Sequence, residues 1–179
     1  MKFHVKTERL ILREFREEDA AGLLKLNSNP EVIKYLHMEP MKNMEEALKD
    51  VKWVTDQYPK NKIGRWIMLE KSTGEFMGWT GLKLEDMEMN GHQNFYDVGY
   101  RMLPEFWGKG YATESAIASV KYGFEEMNLE KINAAAHVEN LASRRVLQKA
   151  GFRELENFPI FDFQAYWYKI TKEEYFSKK

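Results

Sequence analysis

The chain has 179 residues, of which 44% are hydrophobic and 14% aromatic, so it can bury one sizeable core, and a single domain over residues 1–179 is expected. Its 27 Lys and Arg against 28 Asp and Glu give a formal net charge of -1, which excludes the broad positive field of a nucleic-acid or anionic-membrane binder. With 0 Cys it can form no disulfide, thiolate metal site or acyl-cysteine intermediate, and a reducing, cytoplasmic setting is expected.

Met1 to Lys6 interleaves charged and apolar residues, which is not the pattern of a signal peptide. No apolar run approaches the ~20 residues of a membrane span. His4, His37, His92 and His137 are scattered without a second ligand type at helical or turn spacing, so no metal is expected.

Leu10, Ile11 and Leu12 between Arg9 and Arg13 predict an early strand, and Asp19 is expected to cap a helix through Leu23, Leu24 and Leu26. Asn29-Pro30 restarts a helix carrying Val32, Ile33 and Leu36. A third helical pattern runs from about Met44 to Tyr58 and turns Ala47, Leu48, Val51 and Val54 inward. Trp66 to Leu69 and Phe76 to Leu82, separated by Ser72-Thr73-Gly74, predict a hairpin. Trp66 and Trp79 on it suit a core, although one of them could line an acceptor slot. An acidic, Met-rich connection from Glu85 to Gln93 is expected to be solvated and mobile, and it leads to a strand over Phe95 to Leu103.

Downstream the pattern alternates strand and helix. Ala116, Ile117, Val120, Phe124 and Met127 form the apolar face of a helix, and Glu114, Lys121 and Glu125 its wet face. Ile132 to Val138 is the next strand. Asn140 opens a helix with Ala142, Val146, Leu147 and Ala150 inward, which Gly151 ends. Phe161 to Ile170 is a closing strand and Thr171 to Phe176 a short terminal helix. The whole is expected to be one mixed α/β (α+β) domain without repeats or linkers.

The segment Trp107-Gly108-Lys109-Gly110-Tyr111-Ala112-Thr113 lies where a strand gives way to an amphipathic helix. Glycines let a backbone approach a ligand closely, and a helix N-terminus offers free N–H groups and partial positive charge. Such a junction can hold a diphosphate with few basic side chains, Lys109 adding one contact. A tight turn that merely needs glycine is the alternative. No Gly-Lys-Ser/Thr follows and no Gly-x-Gly-x-x-Gly opens a βαβ unit, so neither a P-loop nor a dinucleotide site is expected.

Asp97-Val98-Gly99-Tyr100 followed by Pro104 to Glu114 resembles the acetyl-CoA motif of the GNAT acetyltransferases. Asn140-Leu141-Ala142-Ser143, continuing through Leu147-Gln148-Lys149-Ala150-Gly151-Phe152, resembles that superfamily's second motif. Thr7-Glu8-Arg9-Leu10-Ile11-Leu12-Arg13 is similar to the opening strand of its RimJ/RimL branch, which includes ribosomal-protein N-terminal acetyltransferases. Trp107 stands where many members have Gln or Arg, as is usual in that branch.

The resemblance implies a GNAT fold, a mostly antiparallel mixed sheet with splayed strands flanked by helices. It implies that Met102 and Leu103 offer backbone groups to the pantetheine arm of acetyl-CoA, and that Gly108, Lys109, Gly110, Tyr111, Ala112 and Thr113 wrap the diphosphate. Asn140 is a good N-cap by itself, and the family reading adds a contact from it to the pantetheine. Ser143 is placed near the cofactor sulfur, where it could donate a proton to the departing thiolate. Asp97 is either an acidic residue paired at a strand entrance or a base that draws a proton from the amine through a water.

The expected activity is direct transfer of acetyl from acetyl-CoA to a primary amine in a ternary complex, without metal. An α-amine with a pKa near ~8 costs only about 1 kcal/mol to deprotonate at neutral pH, whereas a lysine near ~10.4 costs roughly 4 to 5. A weak base therefore points to a protein or peptide N-terminus. A silent acyl-CoA-binding sensor, and an acetyltransferase of polyamines, amino sugars or antibiotics, are the alternatives. No nucleic acid or membrane is expected as a partner, and the chain would act as a monomer or homodimer.

Overall fold

The computed structural model describes residues 3–177, so the reading of Met1 and Lys2 lies outside the described residues, as do the side chains of Phe3 and His4. Eight strands form one sheet: β1 (Phe3–Lys6), β2 (Leu10–Glu14), β3 (Trp66–Glu70), β4 (Phe76–Glu85), β5 (Phe95–Met102), β6 (Lys131–His137), β7 (Arg153–Ile160) and β8 (Phe163–Thr171). Their order is β1-β2-β3-β4-β5-β6-β8-β7. The helices are α1 (Ala20–Asn27), α2 (Pro30–Ile33), α3 (Met44–Thr55), α4 (Gln57–Asn61), α5 (Tyr111–Glu125), α6 (Leu141–Lys149) and α7 (Lys172–Ser177). This is the GNAT architecture the motifs imply.

Every neighbouring pair of strands is antiparallel except β5 and β6. Those two run parallel and share a single registered pair, Asp97 with Asn133. Past that pair they separate, and a cleft opens between them. Side chains alternate along β5, so Val98, Tyr100 and Met102 face one side and Asp97, Gly99 and Arg101 the other. The first side carries α5 and α6, as the edge contact of Tyr122 on Trp66 and the bond from Tyr100 to Ser143 show. The second carries α1 and α3, where Lys83 lies over Trp53 and Arg101 bonds Asn27.

Several local expectations need correction. Asp19 makes no side-chain cap on α1. Its carboxylate instead receives both Nη groups of Arg13, at 2.8 and 2.7 Å, and the Arg16 N–H at 2.8 Å, because Arg13 is buried and needs a partner. Asn29 does cap α2, but that helix ends at Ile33, leaving Leu36 exposed. The third helix breaks at Asp56 into α3 and α4. Its Leu48 is exposed.

On α5 Ile117 is 46% exposed, and Ser115, Ala118 and Ser119 are buried in its stead. Both serines satisfy their hydroxyls on their own helix, with Ala112 and Ser115 carbonyls at 3.0 and 2.8 Å. Ala142 is exposed on α6. The closing region is a hairpin of β7 and β8, with Phe161 in the turn at φ 51° and 74% exposed. The 85–93 connection is more ordered than expected, since Glu85 ends β4, Met89 bridges His92, and His92 stacks on Trp167 at 5.1 Å.

Candidate active site

A cleft of about 950 Å³ occupies the gap between β5 and β6. One end is the turn into α5. Gly108 and Gly110 have φ of 73° and 82°, values that a side chain resists. Among the described residues nothing stands within 4 Å of where a Cβ on Gly108 would be, so they leave the space in front of that backbone open. No side chain caps α5, and the first helical bond is from Glu114 N–H to the Gly110 carbonyl at 3.0 Å. The amides of Tyr111, Ala112 and Thr113 are thus the orphan donors of the first turn, and all three residues line the cleft. Orphan amides, helix dipole and an open glycine cradle together fit the diphosphate of a coenzyme A.

The turn is braced from the opening strand. Glu114 accepts from Thr7 Oγ1 at 2.6 Å, from Arg9 N–H at 2.9 Å and from Arg9 Nε at 2.7 Å. Arg9 Nη1 then reaches the Lys109 carbonyl at 2.9 Å, and its guanidinium covers the Tyr111 ring at 4.4 Å. Burial alone would raise the Glu114 pKa, but these hydrogen bonds outweigh it and hold the carboxyl below its ordinary range. The Thr7-Glu8-Arg9 segment is therefore a strut for the turn, a role that its sequence alone does not announce.

At the N-terminus of α6, Asn140 Oδ1 accepts from Ser143 N–H at 3.0 Å, which is the plain capping role. Among the described residues its side-chain Nδ2 has no partner, and Asn140 lines the cleft. Tyr100 Oη stands 2.9 Å from Ser143 Oγ and 3.0 Å from the Ser143 carbonyl. Burial pushes the Tyr100 phenol up, so it remains a neutral donor. Tyr100 belongs to the recognised motif, which gives it no role of its own; its pairing with Ser143 depends on the fold.

Asp97 sits where the strands begin to part. Arg65 Nη2 pairs with its Oδ2, while Arg65 Nη1 donates to the Asp97 and Gly81 carbonyls at 2.8 and 2.5 Å. A Cβ on Gly99 would lie 2.8 Å from the Arg65 guanidinium, so that glycine makes room for the pair. Oδ1 of Asp97 accepts no hydrogen bond among the described residues. Burial pushes the Asp97 pKa up, against the opposing pull of Arg65. A charged residue within the apolar run Ile63 to Leu69 is the signal that could have singled out Arg65.

Met102 lines the cleft, and its carbonyl accepts from Trp107 Nε1 at 2.8 Å. Leu103 and Lys109 do not line it. The Leu103 N–H, one of the backbone groups expected to face the pantetheine arm, is engaged by the Met77 carbonyl at 2.9 Å. Lys109 Nζ lies over Phe106 at 5.9 Å. Trp66 is wholly buried as a core residue, while half-buried Trp79 lines the cleft. Among the described residues no group of three or more His, Cys, Asp or Glu could hold a metal, and no helix is long and apolar enough to cross a membrane.

Comparison with known proteins agrees with this geometry. A family model described as an acetyltransferase (GNAT) domain matches residues 9–153. The uncharacterized N-acetyltransferase p20 of Bacillus licheniformis is 31% identical over 175 residues, covering 94% of this chain and 96% of that one. The spermidine N(1)-acetyltransferase of Escherichia coli strain K12 is 28% identical over 141 residues, covering 79% and 71%. A crystal structure of a GNAT-family acetyltransferase from Bacillus anthracis superposes with a TM-score of 0.78 at 28% identity, covering 96% of this chain and 99% of that one. With a cleft that opens where two parallel strands part, and with orphan amides at its mouth, the chain belongs to the GNAT acetyltransferase family and is an acyltransferase.

Proposed function

We propose that this acyltransferase moves acetyl from acetyl-CoA directly to a primary amine, with a peptide or protein N-terminal α-amine as the favoured acceptor. The observation that carries the reading is the open glycine cradle backed by the orphan amides of Tyr111, Ala112 and Thr113, braced by Arg9 and Glu114. Acetyl-CoA is the acyl donor the family uses, and it supplies a thioester already activated toward amines.

The chain's own residues divide the remaining work. Gly108 and Gly110 through Thr113 hold the diphosphate, and Asn140 offers its side-chain Nδ2 to the pantetheine arm. Tyr100 and Ser143 hold a hydroxyl proton beside the expected position of the sulfur, ready to be given to the leaving thiolate. Asp97 keeps one oxygen on Arg65 and turns the other to a water that takes the proton of the amine. Its raised pKa makes it a stronger base than an exposed carboxylate, although one still suited to an α-amine rather than a lysine. Thiol release from acetyl-CoA, measured side by side with N-terminal peptides, lysine side-chain analogues and polyamines, tests the reading. Release with the peptides supports it, and release with none of the amines overturns it in favour of a silent acyl-CoA sensor.

A further inference from the structure

The face of β5 turned away from α5 and α6 carries a feature that phosphate binding does not use. Trp79 and Arg101 are cross-strand partners of β4 and β5, and both line the cleft. The Arg101 guanidinium lies 5.1 Å from the Trp79 ring centre, and that of Arg65 lies 5.4 Å from it. Arg65 is paired with the Asp97 carboxylate and donates to two carbonyls as well. Arg101 is not so paired: among the described residues its one hydrogen bond runs from Nη1 to Asn27 Oδ1 at 2.6 Å, and no carboxylate lies within 4 Å of it. Asp50 on α3 acts on it only through space. Its surroundings lower its pKa to about 10, mainly by burial, which leaves it charged at neutral pH.

A guanidinium held against an indole, with one edge still open toward a cleft, is a fork for a planar anion. A polycation entering this face would meet two fixed guanidiniums, with Asp97 already paired to one of them and Asp50 of α3 the remaining carboxylate acting on Arg101. We propose that the acceptor amine carries a carboxylate, which docks on Arg101 beside Trp79 while the amine is presented to Asp97. This deepens the reading above, on which it rests, by naming the acceptor's charge: an amine with an acidic side chain or terminus, not a polyamine.

The test is kcat/KM for matched acceptors that differ only in charge, such as peptides beginning with Asp or Glu against those beginning with Asn or Gln, together with spermidine. The acids should be favoured by about tenfold or more, the usual reward for a charge-assisted hydrogen bond over a neutral one. Arg101→Gln should bring the acid-to-amide ratio close to unity, and Arg101→Lys should retain part of it. Wild-type enzyme that acetylates acids and amides equally, or prefers spermidine, overturns the proposal while leaving the acetyltransferase reading intact. Because that comparison needs only the wild type, poor folding of a variant does not decide the matter. Absence of acetylation with any amine would instead sink the reading on which the proposal rests.

Discussion

Tyr100 Oη lies 2.9 Å from Ser143 Oγ, so a residue of β5 meets one from the first turn of α6 across the gap where the sheet opens. On the proposed function the two hydroxyls share one proton path. Either can pass a proton while the other supports it, and the pair behaves as a unit. Tyr100→Phe and Ser143→Ala should each slow thiol release by about tenfold to a hundredfold, and the double variant should be scarcely slower than the worse single one. Additive losses would show that the hydroxyls act separately. Unchanged turnover in both would remove them from the chemistry.

Asp97 pairs with Arg65 and, on the proposed function, also serves as base; pH separates the two roles. Because burial raises its pKa, the acid limb of kcat/KM for a peptide acceptor should contain an ionisation above the ~3.9 of an exposed aspartate. Activity should be present above that ionisation and lost as pH falls through it. Asp97→Asn should abolish this limb and reduce kcat by about a hundredfold. A variant that melts earlier but keeps both kcat and the limb would confine Asp97 to anchoring Arg65.

The strut from the opening strand predicts a linked change in stability and cofactor affinity. Glu114→Gln weakens three hydrogen bonds, two of them from Arg9, and should cost about 1–2 kcal/mol in denaturant unfolding. The folded carboxyl titrates below its unfolded value, so this contribution is complete above pH ~4.3 and disappears as pH falls through the folded pKa. Wild type and variant should therefore converge in strong acid. The KM for acetyl-CoA should rise at neutral pH, because the Lys109 carbonyl loses the hold of a well-oriented Arg9.

Asp19 offers a sharper contrast in magnitude. Loss of an ordinary helix cap costs about 1 kcal/mol, whereas breaking a buried ion pair costs about 3–5. Arg13 and Asp19 are almost fully buried and 2.7 Å apart. Asp19→Ala should fall in the larger range when unfolding is followed in urea. A loss near the smaller figure would restore the capping role.

The glycine turn proposed to hold the diphosphate is legible in the sequence because its physics is local: two glycines, a preceding strand and a helix start all lie within a few residues. The hairpin of β3 and β4 is legible for the same reason. Arg65 and Arg101 are not, nor is the choice of Trp79 over Trp66 for the cleft, since the three meet only through the register that pairs Trp79 with Arg101 and through the room Gly99 leaves for Arg65. Strand β7 escapes notice because Arg153-Glu154-Leu155-Glu156-Asn157 offers little apolar alternation and Pro159 reads as a breaker. Helical spacing places Ile117 inward, but the small residues Ser115, Ala118 and Ser119 occupy the face that packs closest. Size overrides hydrophobicity there.

The most direct measurement is calorimetric titration of the wild-type protein with coenzyme A and with pantetheine, which lacks the diphosphate, alongside Gly108→Val. A side chain on Gly108 would strain the φ of 73° and fill the open space in front of the turn. Coenzyme A should bind the wild type, pantetheine should bind it at least about a hundredfold more weakly, and the advantage of coenzyme A over pantetheine should vanish in Gly108→Val. Equal affinity of the wild type for the two ligands, or no binding of coenzyme A at all, would contradict the assignment of the turn into α5 as the diphosphate site.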